Sequence, residues 1–472
     1  MLFRFFCYMD SYGHEAGRQR EFDMSFPWEK RAEKRKNEEK GERKVRRQNT
    51  ALQPSRHWLV NFLPIFVGQS FSLLSSAIVQ FALIWWLTEK SGDSASVLAM
   101  AALLGQLPQI IIGPFAGVLV DRWNRKTVMI CADGFIALST LVLAILLRMG
   151  NDSIGAILVI LVLRSAGSAF HWPAMEASTA MMVPDQHLTR VTGFNTVLYS
   201  VTSIAGPAMG ALLLGFWPME WVLILDVAGA MIANILLAFV KIPRPIRKDL
   251  HQPHLWRELK EGFQGLYALK GLFLLTIACT IGAVFDTPPG SLTPLLVKTH
   301  FTMDRWGYGA AQMALGIGTF SGSLIMGIWG GFRKRVRSIL LAYLLMGSVY
   351  LLVGLLPPSA FTVAVIAMVP LGISGGLFYG AYMATMQSYV PYHLQGRVMS
   401  VVQSLLWVAG PIGLAIAGPV ADHIGIHWVY IGAGVGILLI TLYILQNKTI
   451  WCFEDMTVRN QDNSSSQSDE RR

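Results

Sequence analysis

The stretch Gly113-Pro-Phe-Ala-Gly117-Val-Leu-Val-Asp121-Arg122-Trp-Asn124-Arg125-Lys126 closes one long apolar run and opens the next. A carboxylate stands where the first run ends, and basic residues follow it directly. Asp121 can accept hydrogen bonds from the start of a neighbouring helix, an interaction worth about 0.3–1 kcal/mol, while the basic side chains hold the turn. Gly113 and Gly117 leave a bare strip that another helix can approach closely. Asn124 sits in the tight turn and tolerates left-handed backbone.

Working outward, apolar runs fall at 58–88, 95–120, 127–148, 154–175, 191–216, 219–240, 271–298, 306–331, 338–356, 360–386, 397–420 and 426–446. Each is long enough to cross a bilayer core, which takes about 20 residues of helix. Only helices satisfy their own backbone in lipid without closing a barrel, so the expected fold is all-α with twelve transmembrane spans. Composition agrees. The chain is 53% hydrophobic and 14% charged, where a soluble domain carries about 25% charged residues. Short joints such as Gly150-Asn-Asp-Ser153 and Pro357-Pro358 force antiparallel neighbours.

Charge decides the orientation. With the N-terminus inside, the internal loops hold Arg122, Arg125, Lys126, Arg190, seven Lys/Arg from Lys241 to Lys270, four from Arg333 to Arg337, and Arg397. The external loops hold only Lys90, Arg148, Lys298 and Arg305. Basic loops stay cytoplasmic, so both termini are expected inside and the protein in the cell (inner) membrane. The net charge of +10 therefore reflects topology, and no nucleic-acid partner is expected.

The expected organisation is a basic cytoplasmic tail over 1–57, a six-helix half over 58–240, a cytoplasmic connection over 241–270, a second half over 271–447, and a C-terminal tail over 448–472. The connection contains LWRELKEGFQGLYAL, an amphipathic pattern suited to lying on the membrane surface. The N-terminal tail reads as solvated, with contact to anionic lipid as its functional alternative. MLFRFFCYMD is too short an apolar start for a cleavable signal, and Met24 is an alternative beginning. Four scattered cysteines, Cys7, Cys131, Cys279 and Cys452, give no metal spacing and no disulfide framework.

An internal repeat supports two halves. GPFAGVLV (113–120) recurs as GTFSGSLI (318–325), and VPDQHLTRV (183–191) recurs as VPYHLQGRV (390–398). Two like halves of the same topology imply a pseudo-two-fold axis along the membrane normal, with a central cavity between them.

Gly117, Asp121, Arg122, Arg125 and Lys126 resemble the loop signature of the major facilitator superfamily, Gly-x3-Asp-Arg-x-Gly-Arg-Arg, with Asn124 replacing its glycine. Leu163-Arg164-Ser-Ala-Gly167 is similar to that superfamily's span-4 pattern, and Gly206-Pro207-Ala-Met-Gly210 to the core of its antiporter motif. Over residues 57–447, including WLTEKSG (86–92) and GRVMSVVQSLLWVAGPIGLAIAGPVAD (396–422), the chain resembles the macrolide-efflux branch of drug exporters. The resemblance implies two pseudo-symmetric six-helix halves and export of bulky amphipathic compounds by alternating access, with proton antiport. It also implies that the loop after span 2 latches one conformation, and that spans 1, 4, 7 and 10 line the cavity.

Arg164 lies near mid-membrane, where a charge costs about 2.5–3.5 kcal/mol on insertion scales. It is a candidate for proton coupling or substrate contact, or for a structural ion pair. Arginine does not release a proton, so a coupling role must run through a carboxylate whose pKa it sets. Asp133, Asp226 and Asp286 are the candidates. Asp286 is preferred by the cavity analogy, and Thr287-Pro288-Pro289-Gly290 after it reads as a helix break; Asp133 and Asp226 read as packing contacts. Gln80, Trp85 and Trp86, with Tyr379, Tyr382 and Gln387, offer an aromatic and sparsely polar wall. His171 reads as a satisfied polar residue.

No cofactor or metal is expected. A proton moving inward through 100 mV releases about 2.3 kcal/mol, enough for a gradient of roughly forty- to fifty-fold. The chain lacks GxxxxGK[ST], which argues against direct nucleotide coupling, and no enzyme activity is expected. The expected partners are an amphipathic substrate, protons and lipid, with the chain working as a monomer. An exporter of an endogenous metabolite or siderophore, or a non-transporting sensor or scaffold, stays open as an alternative.

Overall fold

The structure, a computed structural model, describes residues 58–240, 242, 255–391 and 394–451. The terminal tails and most of the connection between the halves lie outside these residues. Twelve of its helices are long and apolar enough to cross a bilayer. The first six are α1 Trp58–Lys90, α2 Ala95–Arg122, α3 Arg125–Arg148, α4 Ile154–Met182, α5 Asp185–Phe216 and α6 Met219–Phe239. A short helix, α7 Leu255–Ala268, precedes α8 Lys270–Leu295, α9 Arg305–Trp329, α10 Arg335–Leu355, α11 Phe361–Tyr389, α12 Gln395–Ile424 and α13 Ile426–Gln446. No strand occurs among the described residues. Several helices outrun their apolar stretches. α5 begins at Asp185, ahead of its run at 191, because hydropathy marks only the lipid-facing length, while helical hydrogen bonding continues into the polar interface.

The halves pack alike. α1 lies against α5 and α6, α3 against α4 and α6, and α2 against α4. The corresponding pairs in the second half are α8 with α12 and α13, α10 with α11 and α13, and α9 with α11. Between the halves α2 meets α12 and α5 meets α9. α2 and α9 begin at Ala95 and Arg305, and α3 and α10 at Arg125 and Arg335, each pair 210 positions apart. α4 and α11 begin 207 apart, at Ile154 and Phe361. The VPDQHLTRV repeat keeps that 207 spacing. The GPFAGVLV repeat, at 205, does not match the helix register. Methyl groups added at Gly318 and Gly322 would collide with the Val369 and Ile373 backbones of α11, whereas nothing lies within 4 Å of one added at Gly113 or Gly117. Glycine-rich apolar segments match by composition even where their faces differ.

Gly206 and Gly210 are where α5 needs the missing side chain. An added methyl would stand 2.7 Å from Ala77 Cβ and 2.6 Å from the Phe81 ring, so this strip lets α5 lie directly on α1. α7 does not simply rest at a surface. Gly262 brings it against the Arg397 backbone of α12, and Glu261 Oε2 accepts from Arg397 Nη1 at 2.6 Å.

α8 runs unbroken through Thr287-Pro288-Pro289-Gly290, correcting the break expected there. Pro294 cannot donate to the Gly290 carbonyl, and the Thr293 hydroxyl lies 3.1 Å from it instead. Hydroxyls commonly re-satisfy carbonyls freed by proline in apolar helices. The distortion falls later, in the π-helical turn Leu296–His300.

Candidate functional site

The loop after α2 is built by caps. Asn124 is extended, at φ −71° and ψ 108°, and its side chain accepts from Lys126 N at 3.1 Å. It therefore serves as the N-cap of α3, and the left-handed backbone that asparagine tolerates is not used here. Lys126 Nζ donates to the carbonyls of Ala238 and Val240 at 2.7 and 2.9 Å, placing positive charge where α6 ends. Arg125 Nη1 donates to Ala177 O of α4 at 2.9 Å. Arg335 makes the equivalent bond to Ala384 O of α11. The helix α2 includes Asp121 and Arg122, but their side chains lie outside what the structure describes.

The two ends of the bundle differ. At the end that carries Lys90 and Lys298, the halves meet. The Asp422 carboxylate of α12 accepts from Ala95 N and Ser96 N at 2.5 and 3.0 Å and from Ser94 Oγ at 3.4 Å. One half thereby caps the first turn of a helix in the other. Lys298 Nζ lies 2.5 Å from Asp93 Oδ1 and donates to Thr88 O at 3.3 Å. Tyr308 of α9 stacks on Phe81 and Trp85 of α1 at 4.7 and 5.9 Å. Trp85 is thus a buried inter-half contact.

At the opposite end, where Arg125, Arg190, Arg335 and Arg397 lie, a cavity of about 680 Å³ opens between the halves. Trp172, Glu176 and Thr179 of α4 and Asn195, Thr196 and Tyr199 of α5 line one side, with Thr319 and Ser323 of α9 and Tyr379 of α11 opposite. The Trp172 and Tyr199 rings pack at 5.2 Å. The wall therefore comes from spans 4, 5, 8 and 10, in place of the expected 1, 4, 7 and 10. A second groove of about 720 Å³ lies between α3 and α4 beside Trp123 and Cys131; no charged side chain lines it.

Tyr379 is 61% exposed in the cavity, whereas Tyr382, three residues on, is 1% exposed. Tyr382 stacks on Phe378 at 5.5 Å and donates to Thr276 Oγ1 at 3.4 Å, so it belongs to the core of the second half. Gln80 is exposed and does not line the cavity. Asp286 turns inside its own half, accepting from Tyr350 Oη at 2.7 Å. Arg164, 8% exposed, is paired with Asp226, 2% exposed. Ser76 Oγ and Thr140 Oγ1 also donate to Asp226, at 2.6 and 3.0 Å. Asp226, read from sequence as a packing contact, is the partner that Arg164 required.

One heptad away lies a second polar layer. Asp133 Oδ2 is 3.5 Å from Gln69 Nε2, and Asp133 Oδ1 is 3.2 Å from His171 Nε2. Gln69 and His171 stand seven residues from Ser76 and Arg164 on α1 and α4, and Asp133 seven from Thr140 on α3. Sequence reasoning missed Glu176, Trp172 and Tyr199, and missed this layering. The seven-residue spacing on three spans was the available signal.

Residues 65–414 match the family described as Major Facilitator Superfamily, and the chain belongs to it. Macrolide efflux protein A of Streptococcus pyogenes is 36% identical over 396 residues, 84% of this chain and 97% of that protein. Multidrug efflux pump Tap of Mycolicibacterium fortuitum is 29% identical over 372 residues, 75% of this chain and 88% of that one. Among solved structures, a mutant form of the nucleoside transporter NupG superposes with a TM-score of 0.66 at 14% identity, covering 81% of this chain and 98% of its own. A POT family transporter in complex with a thioalcohol conjugated peptide gives 0.68 at 11% identity, covering 84% and 98%. These structures show the shared fold. The chain is a multi-pass membrane transporter homologous to macrolide and multidrug efflux proteins.

Proposed function

We propose that this protein exports amphipathic, macrolide-like compounds from the cytoplasm by alternating access, driven by proton antiport, and that it catalyses no chemical conversion. The observation that carries this reading is the one-ended cavity between the halves. Its size is within the range of about 300–1,000 Å³ usual for small-molecule sites. Rings, hydroxyls and the single carboxylate Glu176 give it an apolar wall with a few polar fixings, which suits a large molecule bearing an amine. With basic loops cytoplasmic, the cavity faces inward, and the contacts of Asp422 and Lys298 form the outer closure.

Passage to the outward-facing state requires the basic ends of the halves to approach. Gly113 and Gly117 now face open space, and they supply the bare strip on α2 that such an approach needs. Asp121 ends that helix and acts as the latch. The test is drug-dependent proton movement in everted vesicles across a panel of macrolides and unrelated amphipaths, with Asp121→Asn beside the parent. Drug-driven proton movement is expected for the parent. The variant should lose about tenfold in turnover, the rate equivalent of some 1.4 kcal/mol, with little change in apparent affinity. A variant with full turnover removes the latch assignment; a parent that moves no macrolide removes the export reading.

A further inference from the structure

Of the two polar layers in the first half, the Arg164–Asp226 layer is saturated. Asp226 accepts from Ser76, Thr140 and Arg164, and arginine keeps its proton at any working pH. The Asp133 layer is not. Gln69 Oε1 and His171 Nε2 have no hydrogen-bond partner, although Gln69 is 1% and His171 9% exposed. The His171 and Asp133 atoms stand 3.2 Å apart, close enough for an ion pair but not aligned as a hydrogen bond. Buried polar atoms left this way cost about 1–3 kcal/mol each, and such groups are rare in settled cores. One added proton would let His171 Nε2 donate to Asp133 Oδ1.

We propose that the Asp133–His171 pair is the site that binds and releases the coupling proton, an inference that rests on the antiport reading above. A proton from water adds to neutral His171. The resulting imidazolium turns its Nε2–H onto Asp133 Oδ1, tightening α4 against α3. On release only that N–H bond breaks, and the proton returns to water on the other side. Histidine is the side chain whose ordinary titration falls in this pH range. His171 directly precedes Trp172 in the cavity wall, and Glu176 follows one turn later, so the bond between α3 and α4 acts on the helix that touches substrate.

The surrounding charges are few. α3 brings Arg125, Lys126 and Cys131, with Arg148 at its far end; α4 brings Arg164 and Glu176. α6 brings Asp226, with Glu220 at its far end, and Asp121 and Arg122 close α2. α1 has only Glu89 and Lys90, both at the opposite end. The second half supplies an internal control. By helix register Asp133 and His171 correspond to Tyr343 and Phe378, whose rings stack at 5.0 Å. The same contact between paired helices is titratable in one half and aromatic in the other.

The test uses the full-length protein in proteoliposomes, with erythromycin as probe and a pH-sensitive dye inside. His171→Gln and Asp133→Asn should each lose about tenfold or more of drug-driven proton flux, while erythromycin exchange at equal pH keeps at least half its rate. Proton flux retained in both variants overturns the assignment and leaves antiport standing; a wild-type protein that moves drug without protons overturns both. Should either variant fail to accumulate, infrared difference spectra of histidine-labelled wild-type protein, with and without erythromycin, decide the matter. An imidazole protonation band on drug binding, lost in the variant that does accumulate or in the double variant His171→Gln/Asp133→Asn, supports the site. Absence of that band from the wild-type protein overturns it.

Discussion

In the first half, α1, α3, α4 and α6 converge on the carboxylates Asp133 and Asp226; in the second, the corresponding helices converge on tyrosines. Thr140 and Asp133 of α3 have Tyr350 and Tyr343 as their counterparts on α10, each 210 positions on. Tyr350 donates to Asp286 and packs edge-on to Tyr430 at 5.8 Å. Tyr430 in turn donates to Pro289 O at 2.9 Å. One packing plan is thus held by paired buried ionisable groups on one side and, on the other, by large rings with single hydroxyls around the one carboxylate Asp286. Buried ion pairs add little net stability over an apolar replacement, but removing one partner costs about 3–5 kcal/mol. Tyrosines bury more surface and stake less on any one bond. The first half, which holds the Arg164–Asp226 pair, also holds the Asp133–His171 contact proposed to carry the coupling proton.

The largest effect that would test this contrast is expected for Arg164→Ala. It leaves Asp226 buried and unpaired at a cost of about 3–5 kcal/mol, read as loss of folded protein and a lower Tm in detergent. Arg164→Met with Asp226→Leu should recover most of that stability; if the double variant stays as unstable as the single, the pair is more than a mutual neutralisation. Next is Tyr350→Phe, which takes the donor from Asp286 and costs about 1–3 kcal/mol. A Tm loss equal to that of Arg164→Ala would break the contrast between the halves. The smallest expected effect is for Asp422→Ala. This removes the cap that the second half places on α2, worth about 0.5–2 kcal/mol, and weakens the closed end. In everted vesicles it should lower the labelling of Ser323→Cys, in the cavity, by a membrane-impermeant thiol reagent. Unchanged labelling would mean that Asp422 caps α2 without biasing the conformation.

Much of the architecture was legible from residue order. Lipid-length apolar runs and short joints gave the span number, and Arg164 at mid-membrane had a buried ion pair among its readings. The identity of that partner was not legible. Asp133, Asp226 and Asp286 all lie on apolar helices, and nothing local separates Asp226, which is 62 positions from Arg164, from the other two. The Thr287-Pro288-Pro289 stretch misled for a related reason: prolines remove single hydrogen bonds without ending a helix that its neighbours hold in place. Tyr379 and Tyr382 show the limit most sharply. Three residues apart, they differ by less than a turn, yet one faces the cavity and the other fills a core.

By itself, then, the sequence determined what must leave water, how often the chain crosses the bilayer, and that it repeats. Those properties follow from transfer free energies summed along a segment and need no knowledge of neighbours. Tertiary structure alone decided which carboxylate met the arginine, which glycines admit a helix and which end of the bundle is closed. Each of these depends on the rotation of one helix against another, and that rotation is set by contacts between residues as far apart as Ala95 and Asp422.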